Sequence, residues 1–171
     1  MFKVIKYLVL LLCVVQYAQA QPEVAWMRMY DNGMTEDVFT DIYAVSDGGY
    51  IMCGSSGNIL HDYPPVDTHD MWVVRIDADG GVIWSNTYGE GGDSYGKSII
   101  ETEEGDFLVG GGSGGNLCAL RIDPEGEEIW FRTYEDKACK AVLELKSGEF
   151  MLAGRAANNN AYLMQIDGEG E

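Results

Sequence analysis

The chain has 171 residues, with 28 acidic side chains against 11 basic ones and a formal charge of −17. A surface this acidic repels phosphate backbones, which excludes nucleic acid as a partner, and it also keeps a protein dispersed in water. Its cysteines follow no even, fixed spacing of the kind that marks a secreted disulfide framework.

In chain order, the first segment has Lys3 and Lys6 at its start, an apolar run from Tyr7 to Val15, and the small-residue ending Ala18-Gln19-Ala20. Charge holds the amino end at the cytoplasmic face, the apolar run enters the bilayer, and small side chains fit the peptidase pocket. Residues 1–20 are therefore predicted to be a signal peptide cleaved after Ala20. An uncleaved anchor needs about 20 apolar residues, more than this run offers. Lipidation at Cys13 is disfavoured because Leu11-Leu12 stand where a small residue is wanted. No later stretch reads as a membrane span, so residues 21–171 are expected to be secreted, to the periplasm, the cell surface or the medium. Cys53, Cys118 and Cys139 then remain and read as small buried hydrophobes, with at most one chance pair.

Internal similarity dominates the rest of the chain. The run from Asp70 to Tyr88, DMWVVRIDADGGVIWSNTY, recurs from Asn116 to Tyr134 as NLCALRIDPEGEEIWFRTY, and begins again as AYLMQID from Ala161 to Asp167. The equivalent Asp77, Asp123 and Asp167 lie 46 and 44 residues apart, a blade-sized period. Between these copies a second hairpin recurs, Ile42–Gly54, Ile99–Gly111 and Val142–Gly154. Each has an apolar run, a polar turn with glycine, and an aromatic-led run closing on glycine, which is the pattern of a β-hairpin.

Two hairpins per period make four strands. They are predicted at about 40–46, 49–56, 70–77 and 81–88; at 97–103, 106–112, 116–123 and 127–134; and at 139–146, 149–155 and 160–167. The repeats thus span about 40–88, 97–134 and 139–167. No segment carries a helical apolar stripe. The fold class is all-β, a β-propeller-type array of tandem four-stranded blades with about three repeats in an incomplete ring. Trp84 and Trp130, on the last strands, are expected to lock neighbouring blades. The run Trp26-Met-Arg-Met-Tyr30 has the same setting, so residues 24–30 read as an orphan outer strand that complements the unfinished last repeat. Propellers have four to eight blades, so the chain is either the amino-terminal piece of a longer protein with missing C-terminal blades or one half of a homodimeric six-bladed ring. The stop at Gly168-Glu-Gly-Glu171, where the next tryptophan strand is due, favours the first.

At these residues the chain resembles secreted bacterial β-propeller repeat proteins, and the segment from Ile76 to Trp84 is similar to the tryptophan-docking repeats of quinoprotein-like propellers. The resemblance covers residues 24 to 167 and implies architecture more than activity. Its enzymatic members imply an eight-bladed ring with a quinone cofactor and Ca²⁺ at the centre, a funnel that three blades do not build.

One stretch breaks the repeat. Gly54 to Asp77 is 23 residues, against 12 and 13 in the equivalent intervals, so the first blade carries about ten extra residues. They include both histidines of the chain. His61, Asp62, Asp67, His69 and Asp70 offer imidazole and carboxylate ligands for a divalent metal, although their spacing matches no specific motif. His61, Tyr63, Asp67 and His69 are the candidate binding loop, because insertions in repeat proteins collect on one, often functional, face. The alternative is a solvated hairpin extension stiffened by Pro64-Pro65. The acidic turns Asp77-Ala-Asp-Gly80 and Asp123-Pro-Glu-Gly126 invite Ca²⁺ but read fully as turn chemistry. Gly110-Gly-Gly-Ser-Gly-Gly115 lacks the Lys and helix of a phosphate loop and reads as a strand-to-strand turn. No catalytic residue and no cofactor is assigned. The function expected is a non-enzymatic exported module that binds protein or glycan or acts as a spacer. The alternative is a fragment of an exported enzyme, quinoprotein-like or hydrolase, whose active residues lie elsewhere.

Overall fold

The computed structural model describes residues 25–60, 66–89, 92–135 and 137–171. Every regular element among them is a strand, and the strands form three antiparallel meanders. The first sheet holds β1 (Glu36–Ala44), β2 (Tyr50–Leu60), β3 (Val66–Ile76) and β4 (Val82–Tyr88). The second holds β5 (Ser94–Glu101), β6 (Phe107–Ser113), β7 (Asn116–Ile122) and β8 (Glu128–Tyr134). The third holds β9 (Lys137–Glu144), β10 (Phe150–Ala156) and β11 (Ala161–Ile166). The chain is therefore an all-β array of tandem blades, as the repeat predicts, and none of the sheets closes on itself.

The turns explain why the hairpins form where they do. After β1, β3, β5, β7, β9, β10 and β11 the backbone makes one pattern, in which a residue donates to the carbonyl four positions on and accepts from the amide three positions on. The residue three positions on has positive φ, a glycine everywhere except Asn159. This is a type I turn followed by a left-handed residue, the usual three-residue hairpin loop. Between β6 and β7 the loop is two residues, Gly114 and Gly115, both with positive φ, as the twist of a two-residue hairpin requires.

The glycine that closes each second strand has a different cause. The first strand of each sheet carries a bulge, between Phe39 and Asp41, between Gly96 and Ser98, and opposite Gly154. A Cβ added to Gly54, Gly111 or Gly154 would strike the carbonyl oxygen of Val38, Tyr95 or Ala138 respectively. The bulge bends the strand into space that only glycine leaves open.

The apolar side chains sort into layers. Ile51, Cys53, Met71 and Val73 of the first sheet meet Ile99, Phe107, Val109, Cys118 and Leu120 of the second. Leu108, Leu117, Ala119 and Trp130 of the second meet Cys139, Val142, Phe150 and Leu152 of the third. Buried Arg75 and Arg121 each reach the first turn of their own sheet: Arg75 pairs with Asp47, and Arg121 with Glu104 and Asp106 at 2.5 and 2.8 Å.

One element differs from the sequence reading. Residues 25–35 form no strand; the first sheet begins at Glu36. The described part of the insertion lengthens β2 and β3 to eleven residues each, paired from Ser56↔Asp70 to Leu60↔Val66, which is the hairpin extension weighed above against a binding loop. Gly111→Ala is expected to cost about 3 kcal/mol or more through the Tyr95 carbonyl clash, read as a lowered urea midpoint. An unchanged midpoint would show that the bulge does not confine this position.

Candidate functional site

The recurring side chains are spent on joining sheets. Trp84 Nε1 donates to the Pro124 carbonyl at 2.9 Å and Trp130 Nε1 to the Gly168 carbonyl at 2.8 Å, each in the last turn of the following sheet. Tyr88 and Tyr134 hydroxyls donate to the carbonyls of Gly126 and Gly170 at 2.7 and 2.8 Å. Burial pushes both phenols up to about 12, so they stay protonated donors at any physiological pH. Trp84 and Trp130 therefore lock adjacent blades, as their recurrence predicts.

The acidic turns are equally occupied. The Oδ1 atoms of Asp77, Asp123 and Asp167 each accept amides two and four positions on, at 2.7 to 3.0 Å. For Asp167 the Glu171 amide is the largest influence holding the carboxyl below its usual value. The calcium-like pattern has its explanation in these turn bonds.

Residues outside the repeat gather elsewhere. At the end of the molecule carrying the β2–β3 extension, a cleft of about 280 Å³ is lined by Glu36, Ser55, His69, Asp93, Tyr95 and Lys97. The starts of β1, β3 and β5 and the far part of β2 meet here because the extended hairpin carries His69 alongside the entry to the second sheet. The imidazole, only 18% exposed, lies between two carboxylates: Nε2 is 3.6 Å from Glu36 Oε2 and Nδ1 is 3.6 Å from Asp93 Oδ1. Asp93 Oδ1 also accepts the His69 backbone amide at 3.2 Å. Lys97 Nζ stands 5.1 Å from the centre of the Tyr95 ring, within cation–π range. Tyr95 can lie against β6 because Gly112 has no side chain; a Cβ there would meet the ring.

Of the candidates named from sequence, His69 lines this cleft. Asp70 is exposed and follows His69 directly on β3, so the two side chains point to opposite faces and do not share an ion. Asp67 is placed in β3 opposite Ile59 by its backbone. His61, Asp62, Tyr63 and the Pro64-Pro65 pair lie outside the described residues. The two carboxylates beside His69 face different ring nitrogens, so one cation would not be shared among the three. Among the described residues no group of three His, Cys, Asp or Glu side chains gathers to hold a metal. Glu36, Ser55, Asp93, Tyr95 and Lys97 were not singled out from sequence: Ser55 follows the recurring Gly54 within β2, and the others sit at or just before strand starts that the repeat does not constrain.

Cys53, Cys118 and Cys139 are free and buried. Burial, the largest influence on each, raises the first two thiols to about 12 and the third to about 11. Thiolate is the reactive form, so these are packing residues.

No protein-family profile matches the chain, and no curated protein is significantly similar to it. Among solved structures the chain is similar to a protein of unknown function from Bacteroides caccae, with a TM-score of 0.51 and 14% identity over 85% of this chain. That likeness concerns the fold alone, and the chain spans about half the length of that protein, 50%.

In the native protein at pH 8 a disulfide-exchange reagent is expected to leave all three core thiols untouched, and to titrate them fully in denaturant. Rapid reaction in the folded state would contradict their burial.

Proposed function

We propose that this chain is an exported, non-enzymatic β-propeller repeat module of the secreted bacterial kind, binding a protein or glycan at the cell surface or outside the cell. The observation that carries the reading is a division of labour among side chains. Those that recur with the repeat are committed to contacts between sheets, whereas the non-recurring Glu36, His69, Asp93, Tyr95 and Lys97 converge on one cleft. That cleft combines an aromatic ring with donors and acceptors of both charge signs. A sugar uses such a ring for its apolar face and the polar groups for its hydroxyls, and a peptide uses the same set for a side chain and its amides. Export is supported by the layout of residues 1–20. Arrangement of the sheets as blades around an axis is supported by the repeated cross-sheet bonds and by the propeller-sized period.

Heteronuclear NMR of the isotopically labelled exported chain, titrated with a panel of oligosaccharides and short peptides, tests the reading. Binding is expected to shift the amides of Glu36, Ser55, His69 and Asp93 to Lys97, and the double substitution Tyr95→Ala with Lys97→Ala to weaken it at least tenfold. Shifts confined to other surfaces, or turnover of a panel compound, would overturn it.

A further inference from the structure

Most carboxylates described so far are already occupied by the fold. Asp47 pairs with Arg75, and Glu104 and Asp106 with Arg121. Glu101 and Glu144 accept backbone amides across sheets, while Asp77, Asp123 and Asp167 accept the amides of their own turns. Glu36 and Asp93 are placed differently. They flank the His69 imidazole with 44% and 53% of their side-chain surface exposed, and at 3.6 Å neither is hydrogen-bonded to the ring. Asp93 commits one oxygen, Oδ1, to the His69 backbone amide. The ammonium lining the same cleft, on Lys97, is held 5.1 Å from the centre of the Tyr95 ring and pairs with neither carboxylate. With the imidazole neutral, the cleft therefore presents two anions against one cation that is turned to an aromatic face.

We propose that this cleft receives a basic segment of a partner protein, which seats one cationic side chain on Glu36 and another on Asp93, and that a protonated His69 competes for the same two carboxylates. The proposal rests on the binding reading above and narrows it to one class of partner. Because the imidazole keeps the carboxylates apart, one beyond each ring nitrogen, they make two seats and not one. In an extended segment alternate side chains point the same way and stand about 7 Å apart. A basic residue, any residue and a second basic residue thus present two cations side by side to two anions. Arginine suits these seats best, since its planar guanidinium offers a carboxylate two parallel N–H donors. The chain's formal charge of −17 acts in the same direction. Its field attracts every cation of an approaching segment and speeds the encounter, so a chain of basic residues draws more from it than a lone amine does.

His69 makes the seats sensitive to acid. A neutral imidazole leaves both carboxylates to the partner, whereas an imidazolium is itself a cation placed between them. Among the described residues the charged groups lining the cleft with it are Glu36 from β1, Asp93 from the connection into β5, and Lys97 from β5, with the Tyr95 phenol beside them. On the remaining neighbour, β2, uncharged Gly57 stands opposite His69. Partner cation and imidazole proton therefore oppose each other, and by linkage each weakens the binding of the other.

The test is heteronuclear NMR of the labelled exported chain with four probes: a short Arg-x-Arg peptide, the same peptide with uncharged citrulline for arginine, a neutral oligosaccharide and an amino-sugar oligosaccharide. The arginine peptide is expected to shift the amides of Glu36, His69 and Asp93 and to bind more weakly as the pH falls. The citrulline peptide, and the arginine peptide on the double variant Glu36→Gln with Asp93→Asn, are expected to bind about tenfold more weakly or worse. In the complex, the imidazole signals of His69 are expected to report proton uptake at a lower pH than in the free chain. Equal binding of the arginine and citrulline peptides, shifts spread over the acidic turns at the other end of the sheets, or tighter binding of the amino-sugar probe would overturn the proposal. If the neutral oligosaccharide alone binds the cleft, the basic partner is refuted and the binding reading stands. If no probe shifts the cleft, both fall. Should the double variant not fold, the comparison of the two peptides on the unaltered chain decides.

Discussion

Everything in this molecule depends on the anchoring of one sheet's last strand to the last turn of the next. A four-stranded sheet has two apolar faces and cannot bury both alone, so its stability is a property of the stack. The tryptophan and tyrosine at the end of each sheet set the spacing: the indole N–H and phenol O–H both reach backbone carbonyls two residues apart in the neighbouring turn. The aromatic bodies reach into the layer between, and their polar tips donate to the turn carbonyls of the neighbouring sheet. A net worth of about 1 kcal/mol for each such bond is modest, but the pattern is repeated, and its geometry admits only one offset between sheets.

A second set of repeated bonds ties the inner strands. Asp41 Oδ2 accepts the Ile99 amide at 2.9 Å, and Ser98 Oγ stands in the same relation to the Val142 amide at 3.4 Å. The Ser46 and Glu103 amides donate to the carboxylates of Glu101 and Glu144, each at 2.7 Å. The bulge on each first strand aims these groups at the neighbour, and the glycine opposite accommodates the bulge. Bulge, glycine and cross-sheet bond are therefore one device seen from three positions. Removing the glycine's freedom would disturb contacts between sheets as well as the strand pair itself.

The strands were legible because hydrophobic alternation and turn glycines act locally, and β4, β7 and β8 lie within a residue or two of their expected bounds. What sequence missed is informative. First strands begin earlier than read, at Glu36, Ser94 and Lys137, because pairing resumes beyond the bulge, where no alternation signals it. The orphan segment has a strand's sequence and none of its ladder, since a strand's hydrogen bonds come from a partner. Arg75 and Arg121 recur in Val-Arg-Ile-Asp and Leu-Arg-Ile-Asp, and that recurrence is the signal that could have marked them as buried; charge alone argued for the surface. The cleft was half visible. His69 stood out as one of two histidines in the one insertion, but Glu36, Asp93 and Lys97 lie at or just before the starts of β1 and β5, outside the recurring segments.

That asymmetry has a physical basis. A repeat constrains the residues that touch the next repeat, and here these use their polar atoms on one another: indole to carbonyl, carboxylate to turn amide, guanidinium to carboxylate. Groups so occupied have little left to offer a ligand. Freedom remains at the starts of the inner strands and in the hairpin that lengthens β2 and β3, which the recurring indole, phenol and turn bonds do not reach. The imidazole between Glu36 and Asp93 illustrates this, since its neighbours stand at 3.6 Å, too far for a hydrogen bond. A side chain already held between two neighbours, as His69 is between Glu36 and Asp93, has less freedom to lose when a further contact forms, which lowers the entropic cost of that contact.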